Sequence, residues 1–171
     1  MMRAASIRTA IRLALLLAMV AVPQRAAAQD RLGGHFGAVF PLVTHASGET
    51  TTIGDDFKIG FPMGITVKTS DKWAFDLELV PVIQNDPLFV SLTVHPGVIH
   101  ALSGGYAVGL RMAFDVNDSS WGFTPLVNKA LVHSHGCAWF VEGVVPIRFQ
   151  SDPAGGTQTS IGLAVHTGVG F

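Results

Sequence analysis

Ile161-Gly162-Leu163-Ala164-Val165-His166-Thr167-Gly168-Val169-Gly170-Phe171, the stretch on which the sequence ends, decides the fold. The larger residues occupy the odd positions without a break, and Gly, Ala and His occupy the even ones. Successive side chains of a β-strand project to opposite faces. The stretch therefore reads as a strand with one apolar face and one face of small or polar groups.

Working back from it, turn-forming Gly, Asn, Asp, Ser and Pro cut the chain into eight strand-like runs. They span residues 31–43, 57–68, 72–83, 88–102, 105–116, 120–133, 137–150 and 159–171. Most keep strict parity. Phe57, Ile59, Phe61, Met63, Ile65 and Val67 share a face opposite Lys58, Gly60, Pro62, Gly64, Thr66 and Lys68. Tyr106, Val108, Leu110, Met112, Phe114 and Val116 oppose Gly105, Ala107, Gly109, Arg111, Ala113 and Asp115. No sustained helical period follows the first 28 residues.

Alternation alone leaves open which face is outside. A water-soluble barrel would bury the apolar face and expose the other. Here the other face is mostly Gly, Ala, Ser, Thr and His, too small and too uncharged for a solvated exterior but suited to a narrow lumen. The bulky face suits lipid. With the first strand rising from the periplasm, Trp73, Tyr106, Trp139 and Phe171 fall at the periplasmic rim. Phe40, Phe57, Phe114, Trp121, Phe123 and Phe149 fall at the outer one. Aromatic rings favour such interfaces. Tyr106 to Phe114 covers roughly 20 Å vertically, near the ~25 Å apolar band of an outer membrane. The short connections fall on the periplasmic side and the longest, residues 44–56, falls outside.

The first 28 residues read as an export leader rather than as fold. Arg3, Arg8 and Arg12 form a basic region, Leu13 to Val22 an apolar one, and Ala26-Ala27-Ala28 a cleavage site. The apolar run is far shorter than the ~20 residues of a spanning helix. Residues 29–171 are then a single domain. The leader takes four of the eleven basic residues and no acid, leaving seven against twelve, net −5. That balance argues against nucleic acid as a partner. Cys137 is the only cysteine, so no internal disulfide is expected.

Leader, strand count, aromatic rims and terminal Phe171 together resemble the small eight-stranded bacterial outer-membrane proteins, of the OmpX type or the membrane domain of OmpA. The resemblance implies an antiparallel up-and-down transmembrane β-barrel in the outer membrane, among lipid and lipopolysaccharide. It implies periplasmic chaperones and a barrel-insertion machinery as partners during biogenesis, with Phe171 part of the insertion signal. It implies no cofactor. Closing the last strand on the first also leaves no unpaired edge in lipid.

One run breaks the pattern. Parity continued from Trp121 and Phe123 puts Lys129 on the lipid face, at roughly 2–4 kcal/mol near the midplane. A β-bulge at Asn128-Lys129 is expected to turn both inward and bring Ala130 and Val132 outward.

Inward charges are the candidate site. Glu78, Arg111, Glu142, His166 and His35 come out at similar heights, with Asp76 on the same face. Asp115, Arg148 and Lys58 form a second group higher up. Such groups are read as a polar network that fills the lumen by pairing, since a buried unpaired charge is far costlier than a paired one. A proton- or ion-binding lumen is the alternative, and with it a narrow porin-like conduit for small solutes or ions. Among the seven histidines, His133-Ser134-His135 is the closest pair, without a Cys or carboxylate at ligand spacing. His45-Ala46-Ser47, with Glu49 nearby, has the spacing of a lipid A hydrolase pair but lacks the Asn-Ala that follows the serine there. No catalytic, cofactor or metal residue is assigned. The chain is read as a non-enzymatic barrel with a structural or interactive role.

Overall fold

The structure is a computed structural model and describes residues 31–85, 87–152 and 155–171. The expected leader, residues 1–28, lies outside the described residues. The described residues form eleven strands: β1 (Leu32–Ala46), β2 (Glu49–Thr52), β3 (Lys58–Gly60), β4 (Met63–Lys68), β5 (Trp73–Gln84), β6 (Phe89–Ala101), β7 (Tyr106–Asp115), β8 (Ser120–Ser134), β9 (Cys137–Val144), β10 (Ile147–Ser151) and β11 (Thr157–Gly170). Among the described residues there is no α-helix.

The pairing is antiparallel throughout, each wall strand bonding the next. β11 closes on β1, from His35 against Gly170 to Ala46 against Ser160. The result is a closed antiparallel up-and-down barrel with eight wall positions. Two positions are shared. β3 and β4 form one, interrupted at Phe61-Pro62; β9 and β10 form another, interrupted at Val145-Pro146. Proline cannot donate to the ladder. The flanking bonds survive: Gly37 N donates to the Pro62 carbonyl at 3.0 Å and Gly162 N to that of Pro146 at 2.8 Å.

At the lower end, where β1 begins and β11 finishes, Gly34 and Phe171 exchange both backbone bonds at 2.9 Å. A Cβ on Gly34 would meet the Phe171 ring at 2.9 Å, so glycine lets the terminal ring lie across the closing seam. Tight turns join the strands. Ser47-Gly48 and His135-Gly136 both have positive φ at their two central residues, the geometry of a type I′ hairpin.

The apolar face is outside. Leu163, Leu110 and Phe75 are each 43–46% exposed, whereas Asp76, Arg111 and His166 are each 4% exposed or less. This arrangement inverts that of a water-soluble barrel. Trp73, Tyr106, Trp139 and Phe171 are exposed at the lower rim. Trp121 and Phe149 pack 4.9 Å apart near the upper one. A small apolar core of Leu126, Val144 and Ala164, with Val39 and Ile99 against it, lies within the barrel.

Three local expectations are corrected. Residues 44–56 are not one loop: β1 runs to Ala46 and pairs with β2 as a hairpin, and only residues 53–57 loop out. The β7–β8 ladder is regular from Phe114–Trp121 to Tyr106–Lys129, so no bulge sits at Asn128-Lys129. Asn128 faces inward by ordinary parity. Lys129 shares the outward face of Tyr106, its ammonium 3.9 Å from the ring centroid and bonded to the Gly104 carbonyl. At the rim a lysine reaches polar groups while its stem covers apolar surface, so no inward turn is needed. The bulge falls later, between Ala130 and Val132, and Ala130 pairs with the buried Phe140 instead of turning outward.

Candidate functional site: a charged layer across the lumen

Parity sends one polar side chain after another from each wall position to the barrel axis, and at mid-height they meet. Asp76 and Glu78 come from β5, Arg111 from β7 and Glu142 from β9. Arg111 Nε donates to Asp76 Oδ2 at 2.8 Å, and its Nη1 donates to Glu142 Oε1 at 2.7 Å. Its Nη2 lies 3.6 Å from Glu78 Oε1. All four are buried.

The other wall positions complete the layer. His35 of β1 bonds Glu78 Oε1 through Nε2 at 2.9 Å, and His95 of β6 bonds Oε2 through Nδ1 at 3.0 Å. From β4, the Thr66 hydroxyl donates to Asp76 Oδ1 at 2.7 Å. Asn128 of β8 donates to Glu142 Oε2 at 3.2 Å, and Nδ1 of His166 on β11 lies 3.3 Å from Glu142 Oε1. Each of the eight wall positions thus supplies at least one group to a single network. Phe140 packs edge-on against His166, with centroids 4.9 Å apart and planes at 90°.

Such bulk on the axis needs empty space on the facing strands. A Cβ on Gly97 would sit 2.6 Å from Arg111 Cγ, and one on Gly64 would run into the His35 ring. The glycines of the inner face are where the large polar side chains go.

The layer divides the lumen. Below it lies a cavity of about 250 Å3 reached from the lower rim, lined by Gly33, Lys68, Ala107 and Gly170. Above it lies one of about 150 Å3 bounded by Val39, Val80, Val82 and Val144. Arg111 and Glu142 line both cavities.

Of the inward residues read from sequence, His35, Asp76, Glu78, Arg111, Glu142 and His166 are brought together here. The upper group is not. Lys58 pairs with Asp56 at 2.9 Å near the loop and does not reach Asp115 or Arg148. The excursion at residues 53–57 gives it a nearer carboxylate. Asp115 accepts from the Thr93 hydroxyl at 2.5 Å. Arg148 donates to His95 Nε2 at 3.1 Å, to the Thr124 hydroxyl at 3.1 Å and to neighbouring carbonyls. His95, Asn128 and Thr66 are the members that sequence reasoning left out of the network. Their inward parity was the available signal; being neutral or polar, they did not stand out among the charges.

Neither side reading assembles into a site. His45 bonds the Thr50 hydroxyl at 2.9 Å, whereas the Ser47 hydroxyl accepts from Gln158, so the two side chains serve different partners. The Ser134 hydroxyl lies 2.8 Å from His135 Nδ1 in the turn. Among the described residues no three His, Cys, Asp or Glu converge as metal ligands.

No protein-family model matches the chain, and no curated protein does. Two solved structures are similar to it. One is the outer-membrane protein AlkL, determined by solid-state NMR in DMPC bilayers: TM-score 0.47, 9% identity, covering 82% of this chain and 89% of that one. The other is the outer-membrane protein OprG from Pseudomonas aeruginosa: TM-score 0.39, 10% identity, covering 81% and 92%. Likeness at this level adds nothing to the closed ladder of the chain itself, on which the fold rests.

Proposed function

We propose that this chain is an integral β-barrel of a bacterial outer membrane, exported by a leader cleaved after Ala28, with its lumen closed by the charged layer. Its role is structural and interactive: stabilising the membrane and meeting lipopolysaccharide or another protein through the upper loops. No catalytic step is assigned. The eight wall positions support the OmpX and OmpA-membrane-domain type. The exposed apolar exterior and aromatic rims support the membrane address, since hydrocarbon solvates such a surface and water does not.

One observation carries the reading of the lumen. All eight wall positions send a side chain into one bonded layer, so the network ties the wall together and fills the axis. Buried charges arranged this way satisfy one another. Planar-bilayer recordings of purified protein test it, alongside heat-modifiable gel migration to verify folding. A folded barrel without discrete current steps is expected; regular steps from folded protein would overturn the closed lumen.

A second reading, a narrow conduit for small solutes or ions, is favoured by the two cavities. Only side chains separate them, so modest movements of Arg111 and Glu142 would join them. Discrete steps in the same recordings are what this reading requires.

Phe171 is proposed as part of the signal read by periplasmic chaperones and the insertion machinery. Phe171→Ala is expected to lower the inserted yield in cells while the purified variant still refolds in detergent. Equal loss in both settings would assign the residue to barrel stability instead.

A further inference from the structure

The upper cavity, of about 150 Å3, has an unusual pairing of lining groups. Most of its wall is aliphatic: Val39, Val80, Val82 and Val144, with Pro62 and Pro146. One side carries the guanidinium of Arg148. Its Nη1 donates to the Phe123 and Ile147 carbonyls and the Thr124 hydroxyl at 3.1–3.2 Å, and its Nη2 donates to His95.

No carboxylate of the described residues comes within ion-pair distance of Arg148; Asp115 attracts it only through space. A guanidinium carries five donor hydrogens in a planar fork. Nε and the second hydrogen of Nη2 have no acceptor among the described residues. A half-buried cation beside aliphatic walls suits an anion that carries an apolar tail.

We propose that the upper chamber binds a small monoanion with a short apolar tail, namely a short-chain monocarboxylate. The carboxylate takes the free edge of Arg148, whose fork matches two carboxylate oxygens. The tail lies among the valines. Size sets its length, because an aliphatic cavity of 150 Å3 holds a molecule about as large as benzene, equivalent to a tail of about four carbons. Charge sets its valence: the other guanidinium of the chamber, that of Arg111, is already engaged by Asp76, Glu78 and Glu142, so a second carboxylate on the ligand finds no free cation. The site stands whether or not the barrel conducts.

The test is ligand-observed NMR titration of sodium pentanoate against the purified full barrel in phosphatidylcholine nanodiscs. Acetate, 1-pentanol and glutarate remove the tail, remove the charge and add a second charge. Saturable pentanoate binding is expected, with each comparison compound weaker by about tenfold or more: 1-pentanol loses a charge-assisted hydrogen bond, acetate loses the burial of three methylenes, and glutarate brings a second charge that finds no free cation. Arg148→Gln is expected to weaken pentanoate about tenfold. Val82→Phe, which leaves the guanidinium in place and fills the chamber, is expected to abolish binding. Heat-modifiable migration verifies each variant's fold, and should Arg148→Gln not fold, Val82→Phe decides. Lack of saturation in wild type, equal affinity for 1-pentanol, or unchanged pentanoate binding in a folded variant would each overturn the proposal.

Discussion

Nη2 of Arg148 and Nε2 of His95 lie 3.1 Å apart, and because a guanidinium only donates, this ring nitrogen is the acceptor. The ring's hydrogen therefore sits on Nδ1, where it is donated to Glu78 Oε2 at 3.0 Å. Arg148 and the Glu78 carboxylate together fix the tautomer of His95, which links the upper chamber to the layer. Nitrogen-15 NMR of histidine-labelled barrel at neutral pH is expected to show His95 protonated at Nδ1 and bare at Nε2. In Arg148→Met the Glu78 carboxylate, which only accepts, still holds the hydrogen on Nδ1, so the tautomer should persist. A protonated Nε2 in wild type would contradict the assignment.

Arg111 meets three carboxylates, so removing it leaves negative charges buried together without a cation. Breaking a buried pair from one side costs about 3–5 kcal/mol. Arg111→Met should lower the urea midpoint of the folded band accordingly. Adding Glu142→Gln removes one of the stranded charges and should recover part of that loss. A single variant as stable as wild type would mean the carboxylates are satisfied some other way.

Leu110 and Lys129 share the outward face at different heights, and the barrel predicts opposite tolerances. A cation on the lipid face costs about 2–4 kcal/mol at the midplane and about 0–1 kcal/mol near an interface. Leu110→Lys should therefore destabilise strongly in bilayers. Lys129→Leu should change stability by less than about 1 kcal/mol, since at the rim the ammonium already reaches the Gly104 carbonyl. Reversible unfolding in vesicles measures both. Equal effects of the two substitutions would be incompatible with this placement.

The wall was legible because the alternation of Tyr106 to Phe114, or of Ile161 to Val169, can only be satisfied by a strand with unlike faces. The run read as 105–116 is observed as Tyr106–Asp115. The hairpin above the ring was not legible: Glu49–Thr52 is exposed on both sides, so no apolar period marks it. Lys58 was misassigned because height along a strand does not register the excursion that brings Asp56 to it. His95 was legible as inward, yet its bridge between Arg148 and Glu78 spans strands far apart in sequence. Only the closed geometry brings those three together. The proline interruptions at Pro62 and Pro146 carry no signal in an alternation count, since a proline keeps parity while omitting its donor.

Asp55 gives the loop at residues 53–57 a pH dependence with a definite sign. The Thr52 hydroxyl donates to Asp55 Oδ2 at 2.7 Å and the Thr52 amide to the same oxygen at 2.9 Å. These two bonds, the hydroxyl's first, hold the carboxyl below its usual value. A carboxyl so lowered contributes loop order that is fully present above the ordinary aspartate pKa, about 3.9. The contribution is lost as the pH falls through the lower folded value. The Thr52 amide resonance is therefore expected to stay constant from neutral pH to about 3.9 and to move only below it. Asp55→Asn should remove that transition while leaving the rest of the barrel's spectrum in place. A midpoint at or above that of a free aspartate would mean that the Thr52 bonds do not hold this carboxylate in solution.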